Sequence, residues 1–368
     1  MFDTLLNIHD LVGYYETAHS QGWNYLGETL FPARKKYGLT MSHLLEESPG
    51  IGIKALRQSH FDTVPMLRDR KADLQSIQHR MPFFREQMSI GEEDRQELAM
   101  FYQAQNDTLV RQKVNDVYDD AATLIGGSKT SIERMRMQIL SRGMIDLQNA
   151  SGLDLQVEYG FDPATQTTNL YAGAQWKNHA TSTPLDDLRE AKRAARINGT
   201  AVAYLTEDLF LDLMASQSVI KTVYVNPPVG TIYDVSPIVN FIQTKLGISL
   251  IVVDAVTSTG EPIVASYLDE TDNEQSFWAE GVVALWPLGT LGTTWFGTTP
   301  EEIDLMNKTE RSTEISIVNT GVAVVLHTDP GPPVKTTTSV SMICLPSAPK
   351  IKMAHMLRVN AGDTPPGP

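Results

Sequence analysis

The sequence contains a single cysteine, Cys344, among 368 residues. One cysteine excludes an internal disulfide and any zinc site built from several thiolates. Cys344 lies in an apolar, strand-like stretch, VSMICLP, which predicts a small buried side chain rather than a nucleophile. A catalytic cysteine would also need a matched histidine. The eight histidines are scattered, without an HExxH motif or a pair at metal-ligand spacing, so the sequence nominates none.

Long hydrophobic runs are also missing. The longest, such as residues 248–256, have the length of a strand, whereas a membrane helix needs roughly 18 apolar residues. The first residues, MFDTLLNIHD, have neither the basic segment nor the small-residue cleavage site of a secretory signal. We therefore expect a chain that is made and folds in a cytoplasm and has no membrane partner.

An excess of positive charge is the third absence. The formal net charge is −14, and most of the acidic excess falls after residue 150. Proteins that read nucleic-acid sequence usually carry a basic patch that neutralises phosphates. The negative net charge argues against a sequence-specific DNA binder. It is compatible with a container wall that encloses nucleic acid without binding it tightly. With 42% hydrophobic and 20% charged residues, the composition is globular.

Fragments that imitate catalytic motifs lack the context that those motifs need. GIGIKA at residues 50–55 resembles a dinucleotide fingerprint, but no strand precedes it and no helix follows. Residues 126–130 lack the first glycine of a phosphate loop, and residues 269–274 lack the glycine and final glutamate of a calcium loop. Asp186 and Asp187 begin a predicted helix, where the helix dipole alone explains them. We expect no enzyme activity, cofactor or metal.

The N-terminal quarter contains two segments with different residue patterns. Residues 1–47 are mixed polar and aromatic, and Trp23 and Tyr25 are expected to be anchors that pack on a neighbouring molecule. Residues 50–90 alternate between polar and apolar and are interrupted by prolines, which predicts a long two-stranded ribbon. An isolated ribbon is marginally stable in water, so this one should lean on another surface. The basic cluster near its tip is Arg68, Arg70 and Lys71.

Residues 107–147 carry a helical apolar stripe, and strands alternate with shorter helices after residue 150. About 40 helical residues would span roughly 60 Å, which is long for a globular protein. Gly126 and Gly127 are expected to bend or break this helix. Thr206 is predicted to cap the helix EDLFLDLMAS. Ser236 is predicted to cap the next helix, with Pro237 at its first position and Gly247 at its end.

Four stretches share an order and spacing with one known family. The first is the region after Pro49. The second is AGAQWKNHATSTPLDDLREAKRA at 172–194, and the third is VVALWPLGTLGTTWFGTTPEE at 282–302. The last is the closing β segment at 336–359. In this order they resemble the major capsid protein E family of tailed phages, the family of the phage lambda shell protein.

The resemblance implies an α+β fold of the Hong Kong 97-type capsid class. Its parts would be an N-terminal arm (1–47), an extended β-hairpin loop (48–92), a peripheral domain (93–184) with a spine helix at about 107–147, an axial domain (185–309), and C-terminal strands that return to the peripheral domain (310–368).

The function implied is that of a major capsid protein, a structural virion protein that assembles in the host cytoplasm. Its hexamers and pentamers would form an icosahedral shell around a double-stranded DNA genome. Implied partners are a scaffolding protein, a portal protein and, as in lambda-type shells, a decoration protein. Because the chain begins directly with the arm, we expect the scaffolding protein to be separate. Some relatives of the fold crosslink lysine to asparagine, and Lys54 or Lys71 qualify by location alone.

Contacts between subunits follow from this hypothesis. The basic cluster of Arg68, Arg70 and Lys71 should meet an acidic patch on an adjacent subunit, and Trp23 and Tyr25 should pack on a neighbour. Two alternatives stay open. An encapsulin-like cellular nanocompartment shares the fold and predicts a cargo-peptide groove. A soluble α/β enzyme would require a pocket that gathers perturbed ionisable groups, for which the sequence offers no constellation.

Overall fold

A computed structural model describes residues 12–15, 24–46, 76–103, 107–147, 154–224, 234–255, 262–269, 271–307, 314–329, 331 and 334–362. Helices and strands are mixed within these ranges, which confirms the α+β class. The helices are α1 (Leu26–Leu30), α2 (Glu92–Gln103), α3 (Asp107–Arg142), α4 (Pro163–Gln166), α5 (Pro184–Ala194), α6 (Glu207–Ala215), α7 (Gln217–Val223), α8 (Val235–Phe241) and α9 (Pro300–Asn307).

The strands form two large sheets and three two-stranded ribbons. They are β1 (Ala33–Lys35), β2 (Thr40–Leu44), β3 (Ser76–Arg80), β4 (Phe83–Ile90), β5 (Met144–Leu147), β6 (Leu155–Glu158), β7 (Thr167–Asn169), β8 (Ala201–Leu205), β9 (Ile248–Val252), β10 (Ser266–Leu268), β11 (Glu274–Ser276), β12 (Val282–Pro287), β13 (Thr294–Phe296), β14 (Glu314–Val318), β15 (Val322–Asp329), β16 (Lys335–Pro346) and β17 (His355–Arg358).

The first sheet has five strands in the order β7-β17-β12-β8-β9 and is buried on both faces at its centre. On β12, Val283 and Leu285 point into a core shared with α5, α6, α7 and α8. Ala284 and Trp286 point into a second core, shared with α3. Because successive side chains of a strand face opposite sides, a strand covered on both faces is apolar at every position. This explains the unbroken run VVALW.

The second sheet is organised around the long strand β16. One edge of β16 pairs with β15, and its other edge pairs first with β4 and then with β13. β14 joins β15 as a hairpin, and β1 pairs in parallel with β13. The sheet therefore unites residues from both ends of the chain.

Helix α3 packs on the second sheet and touches the first. It contacts β16 and β5, and near its C-terminal end the indole Nε1 of Trp286 donates to the carbonyl of Leu140 at 3.1 Å. The helix runs without interruption through Gly126 and Gly127, so the predicted break is wrong. Two glycines cost about 2 kcal/mol of helix propensity together, whereas each buried aliphatic side chain on either side contributes about 1.5–3 kcal/mol.

The base of a ribbon is formed by an antiparallel pair between β2 and β3; β3 lies within the predicted bounds of 50–90, whereas β2 precedes them. The strand that follows Pro82, β4, leaves the ribbon and pairs with β16. Residues 47–75, which include the predicted tip, lie outside the described residues.

Helix caps are partly as predicted. Thr206 is the N-cap of α6, but the carboxylate of Asp254 accepts the N–H of Glu207 at 2.7 Å. The predicted Ser236 cap of α8 is wrong by two residues. The N-cap is Asp234, which accepts from the N–H of Ser236 at 3.1 Å, and Pro237 is the third helical residue. Gly247 ends the π-helical turn that follows α8, at a φ of 63°.

Candidate functional site

A buried junction joins the N-terminal segment to helix α3 and strand β13. It consists of Gly27, Phe31, Glu133, Arg136 and Thr294, and the side chains of Glu133 and Arg136 are almost fully buried. Glu133 accepts the backbone N–H of Gly27 at 2.7 Å and pairs with Arg136 at 3.3 Å. Arg136 donates to the hydroxyl of Thr294 at 3.0 Å and to the carbonyl of Phe31 at 3.3 Å. The junction fixes α1 onto α3.

The junction depends on close approach at Gly27. A Cβ at this position would lie 2.5 Å from Glu133 Oε2 and 2.7 Å from Arg136 Cδ. Burial raises the pKa of Glu133, and the Arg136 guanidinium and the Gly27 N–H oppose that shift. A buried carboxylate is tolerated here because its partners are fixed by packing.

A second set of charges ties α9 to the strands. Lys35 on β1 pairs with Glu302 at 2.5 Å, and Glu302 is buried. Arg85 on β4 pairs with Glu301, whose other oxygen accepts from Ser341 on β16 at 2.8 Å. These pairs fix α9 to β1, β4 and β16 of the second sheet and leave Ile303 and Met306 of α9 exposed.

Two histidines meet at the ribbon base. The rings of His43 and His79 lie 5.9 and 5.8 Å from the ring of Tyr159, which donates its hydroxyl to the carbonyl of Pro346 at 2.6 Å. Burial, and secondarily His79, lowers the pKa of His43 to about 4. The ribbon base is therefore held to the end of β16 by packing of both rings on Tyr159, and His43 is neutral at neutral pH.

Exposed apolar side chains cluster where the ribbon leaves the body. Tyr37, between β1 and β2, is 80% exposed, and Leu39 and Phe83 are each about half exposed. The amide of Met81 donates to the carbonyl of Leu39 at 2.8 Å, which places both segments side by side. An apolar group of this kind on a surface is typical of a contact with another molecule.

Of the five predicted contact residues, only Tyr25 lies within the described part of the chain; Trp23, Arg68, Arg70 and Lys71 lie outside it. Tyr25 is buried in its own chain. Its hydroxyl is hydrogen-bonded to Thr130 at 3.0 Å, and its ring contacts Phe277 edge-on at 6.3 Å. Its role between subunits stays a prediction.

Sequence reasoning missed Glu133 and Arg136, because an acidic and a basic residue three apart on a helix normally indicate a solvated pair. The signal was their position. Glu133 and Arg136 are spaced seven and four residues from Leu140 along the helix and so share a face with that apolar residue, where exposed charges would not be expected.

Cys344 is buried as predicted, and burial raises the pKa of its thiol to about 12, which removes it as a nucleophile. No group of three His, Cys, Asp or Glu side chains in the described ranges could hold a metal ion. Among the helices described, none is both long enough and apolar enough to span a membrane.

Comparisons with known proteins give one matching family model and several similar solved structures. The family model described as phage major capsid protein E matches residues 23–318. The crystal structure of the putative capsid protein of a prophage of E. coli CFT073 aligns with a TM-score of 0.55 at 12% identity, covering 96% of this chain and 99% of that one.

Two further structures align over similar lengths. A phage-related protein of Bordetella bronchiseptica RB50 has a TM-score of 0.49 at 12% identity and covers 96% of this chain and 97% of its own. The capsid of the cyanophage P-SCSP1u has a TM-score of 0.46 at 10% identity, with 91% and 88% covered. No curated protein matches the sequence.

Proposed function

The chain belongs to the phage major capsid protein E family, and we propose that its hexamers and pentamers build the icosahedral head of a tailed phage. The family match carries this proposal, and the likeness to the prophage capsid protein supports the fold. As a phage major capsid protein, the chain is a structural component of the virion and associates with its own copies.

The proposed roles of the parts of the chain follow the regions of the Hong Kong 97-type fold. Residues 1–47 act as the arm, 48–92 as the extended loop, 93–184 as the peripheral domain and 185–309 as the axial domain, with 310–368 returning to the peripheral sheet. The ribbon base and the exposed group of Tyr37, Leu39 and Phe83 support an outward-directed loop. Many modest contacts of this kind add up around a closed shell.

The proposed partners follow from the geometry that a closed icosahedral shell requires. Identical subunits in both five-fold and six-fold rings need something to set the curvature, and a separate scaffolding protein in the host cytoplasm would do so. A portal protein would occupy one vertex, and a decoration protein would bind the outside. The shell would enclose double-stranded DNA without reading its sequence, in keeping with the net charge of −14.

A non-enzymatic role is part of the proposal. The family is one of structural proteins, and an encapsulin-like nanocompartment, which would share the fold, is disfavoured by the match to a phage family.

The basic cluster at the loop tip provides the first test. Replacing Arg68, Arg70 and Lys71 together by glutamate should prevent shell formation in sedimentation assays while the subunit keeps its circular dichroism spectrum. Replacing Lys221, Arg193 and Lys245 by glutamate gives the same charge change in the proposed axial domain and is the control. Normal shells from the loop variant would refute the role of this cluster.

The arm provides the second test. Replacing Trp23 by alanine keeps the fully buried Tyr15 and the buried junction at Gly27, so the subunit should fold. We expect no closed particles from this variant. Particles formed at wild-type yield would refute the arm's role as a contact between subunits.

A further inference from the structure

An open cleft of about 410 Å³ lies between helix α3 and the β10–β11 hairpin. The wall formed by α3 carries Arg134, Gln138 and Arg142, which are four residues apart and therefore share one helix face. The two arginines are about 12 Å apart along the helix axis. Tyr267 and Asp269 of the hairpin form the opposite wall.

Several polar groups of the cleft are already used within the chain. Gln138 pairs through both ends of its amide with the backbone of Asp146, each bond 2.9 Å long. Asp269 accepts from Thr271 and from the backbone N–H of Asn273, and its other oxygen accepts from Gln275 at 3.2 Å. These bonds fix both walls and hold the cleft open.

Among the described residues, in contrast, the two arginines have no anionic partner. Neither Arg134 nor Arg142 forms an ion pair with a described carboxylate. The guanidinium of Arg134 lies over the ring of Tyr267 at 5.1 Å, and its buried Nε has no hydrogen-bond acceptor among the described residues. Tyr267 stacks in turn on the buried Phe277 at 5.0 Å. Arg134 is thus fixed in place with part of its hydrogen-bonding capacity unused, while Arg142 is exposed.

We propose that this cleft binds an acidic segment of a second copy of the chain, whose carboxylates pair with Arg134 and Arg142. Arginine forms strong paired hydrogen bonds with carboxylates and is favoured at protein interfaces. Each copy carries a net charge of −14, so acidic segments are abundant on every neighbour. Asp146 and Asp269 line the same cleft and repel any anion, so a polypeptide with a few separated carboxylates fits better than a phosphate backbone, which is charged at every residue.

The inference rests on the proposed assembly, and crosslinking of assembled shells tests it. A p-benzoylphenylalanine probe at position 275 is activated in shells assembled from an equal mixture of ¹⁴N- and ¹⁵N-labelled subunits. Crosslinked peptides identified by mass spectrometry should contain Asp or Glu, and about half of the pairs should combine the two labels. Pairs of a single label only, adducts to nucleic acid or to another protein, or no crosslink at all would overturn the inference.

Charge reversal gives an independent readout. Arg142→Glu combined with Arg134→Gln should lower the yield of shells at least tenfold, whereas Arg193→Glu, on the exposed face of α5, should leave it within twofold. Circular dichroism checks that each subunit is folded. If the double variant does not fold, Arg142→Glu alone, which changes an exposed side chain, replaces it in the same assay. Wild-type yield from these variants would overturn the inference and leave the proposed function intact. Failure of the wild type itself to form shells would overturn both.

Discussion

At the scale of single residues, the buried pair of Glu133 and Arg136 determines how the N-terminal segment is attached. Both side chains lie away from water, so each depends on the other to offset the cost of losing hydration. Replacing both by neutral groups costs less than removing one, because a single removal leaves a buried charge uncompensated.

Arg136→Met should lower the free energy of unfolding of the unassembled subunit by about 3–5 kcal/mol. The double variant Glu133→Gln/Arg136→Met should recover part of this loss, because glutamine can still accept the N–H of Gly27. Urea denaturation measures both, with the exposed Arg189→Met as the control. A cost below about 1 kcal/mol for Arg136→Met, or a double variant no better than the single one, would contradict the account.

Asp187 illustrates a carboxylate whose role differs from its predicted one. The sequence suggested only a favourable helix-start charge, but Asp187 also accepts the indole N–H of the fully buried Trp176 at 3.0 Å. Burial raises its pKa from 3.8 to about 6, which outweighs the effect of that hydrogen bond. With a folded pKa above the unfolded one, its contribution to stability is complete below about pH 3.8 and is lost as the pH rises through about 6.

Asp187→Asn should therefore stabilise the subunit by about 1 kcal/mol at pH 7.5 and have little effect at pH 4, after allowance for the partial exposure of the carboxylate. The amide oxygen keeps the bond to Trp176. Chemical denaturation at both pH values measures this. The neighbouring Asp186→Asn, which loses an exposed pair with Arg189, should show no such gain. A loss of stability at pH 7.5 for Asp187→Asn would refute the assignment.

At the scale of elements, helix α3 shows how burial overrides local propensity. Gly127 is exposed, and no atom lies within 4 Å of the Cβ that an alanine would add. Glycine inside a helix costs about 1 kcal/mol relative to alanine, so the chain tolerates a weak point that packing elsewhere offsets.

Gly127→Ala should raise the free energy of unfolding by about 0.5–1 kcal/mol, measured by thermal and urea denaturation. Gly27→Ala is the matched contrast and should destabilise the subunit, because the added Cβ would lie 2.5 Å from Glu133 Oε2. If both alanine variants shifted stability in the same direction, the assignment of these two glycines would be wrong.

At the scale of the whole molecule, local sequence patterns predicted where helices and strands occur better than they predicted which of them pack together. The long helix followed from its apolar periodicity, and the strand at 248–252 from the apolar run that contains it. The parallel pairing of β1 with β13 joins segments far apart in sequence. Strands of three residues are too short to show a hydrophobic pattern from which this pairing could be predicted. The Glu133–Arg136 junction was missed for the same reason, since burial of a charged pair is decided by distant segments that pack over it.

Assembly depends on surfaces that local patterns reveal least. The described chain has two cores of its own, so folding of the subunit and association of subunits are separate problems. The apolar group around Tyr37 and the arginine cleft are the described surfaces best suited to association.

Negative-stain electron microscopy of the wild-type protein, expressed alone and with a candidate scaffolding protein, tests the central claim most directly. We expect uniform closed shells, or sheets of hexameric rings where closure fails. A monodisperse monomer or dimer under every condition, with no rings at any concentration, would contradict it.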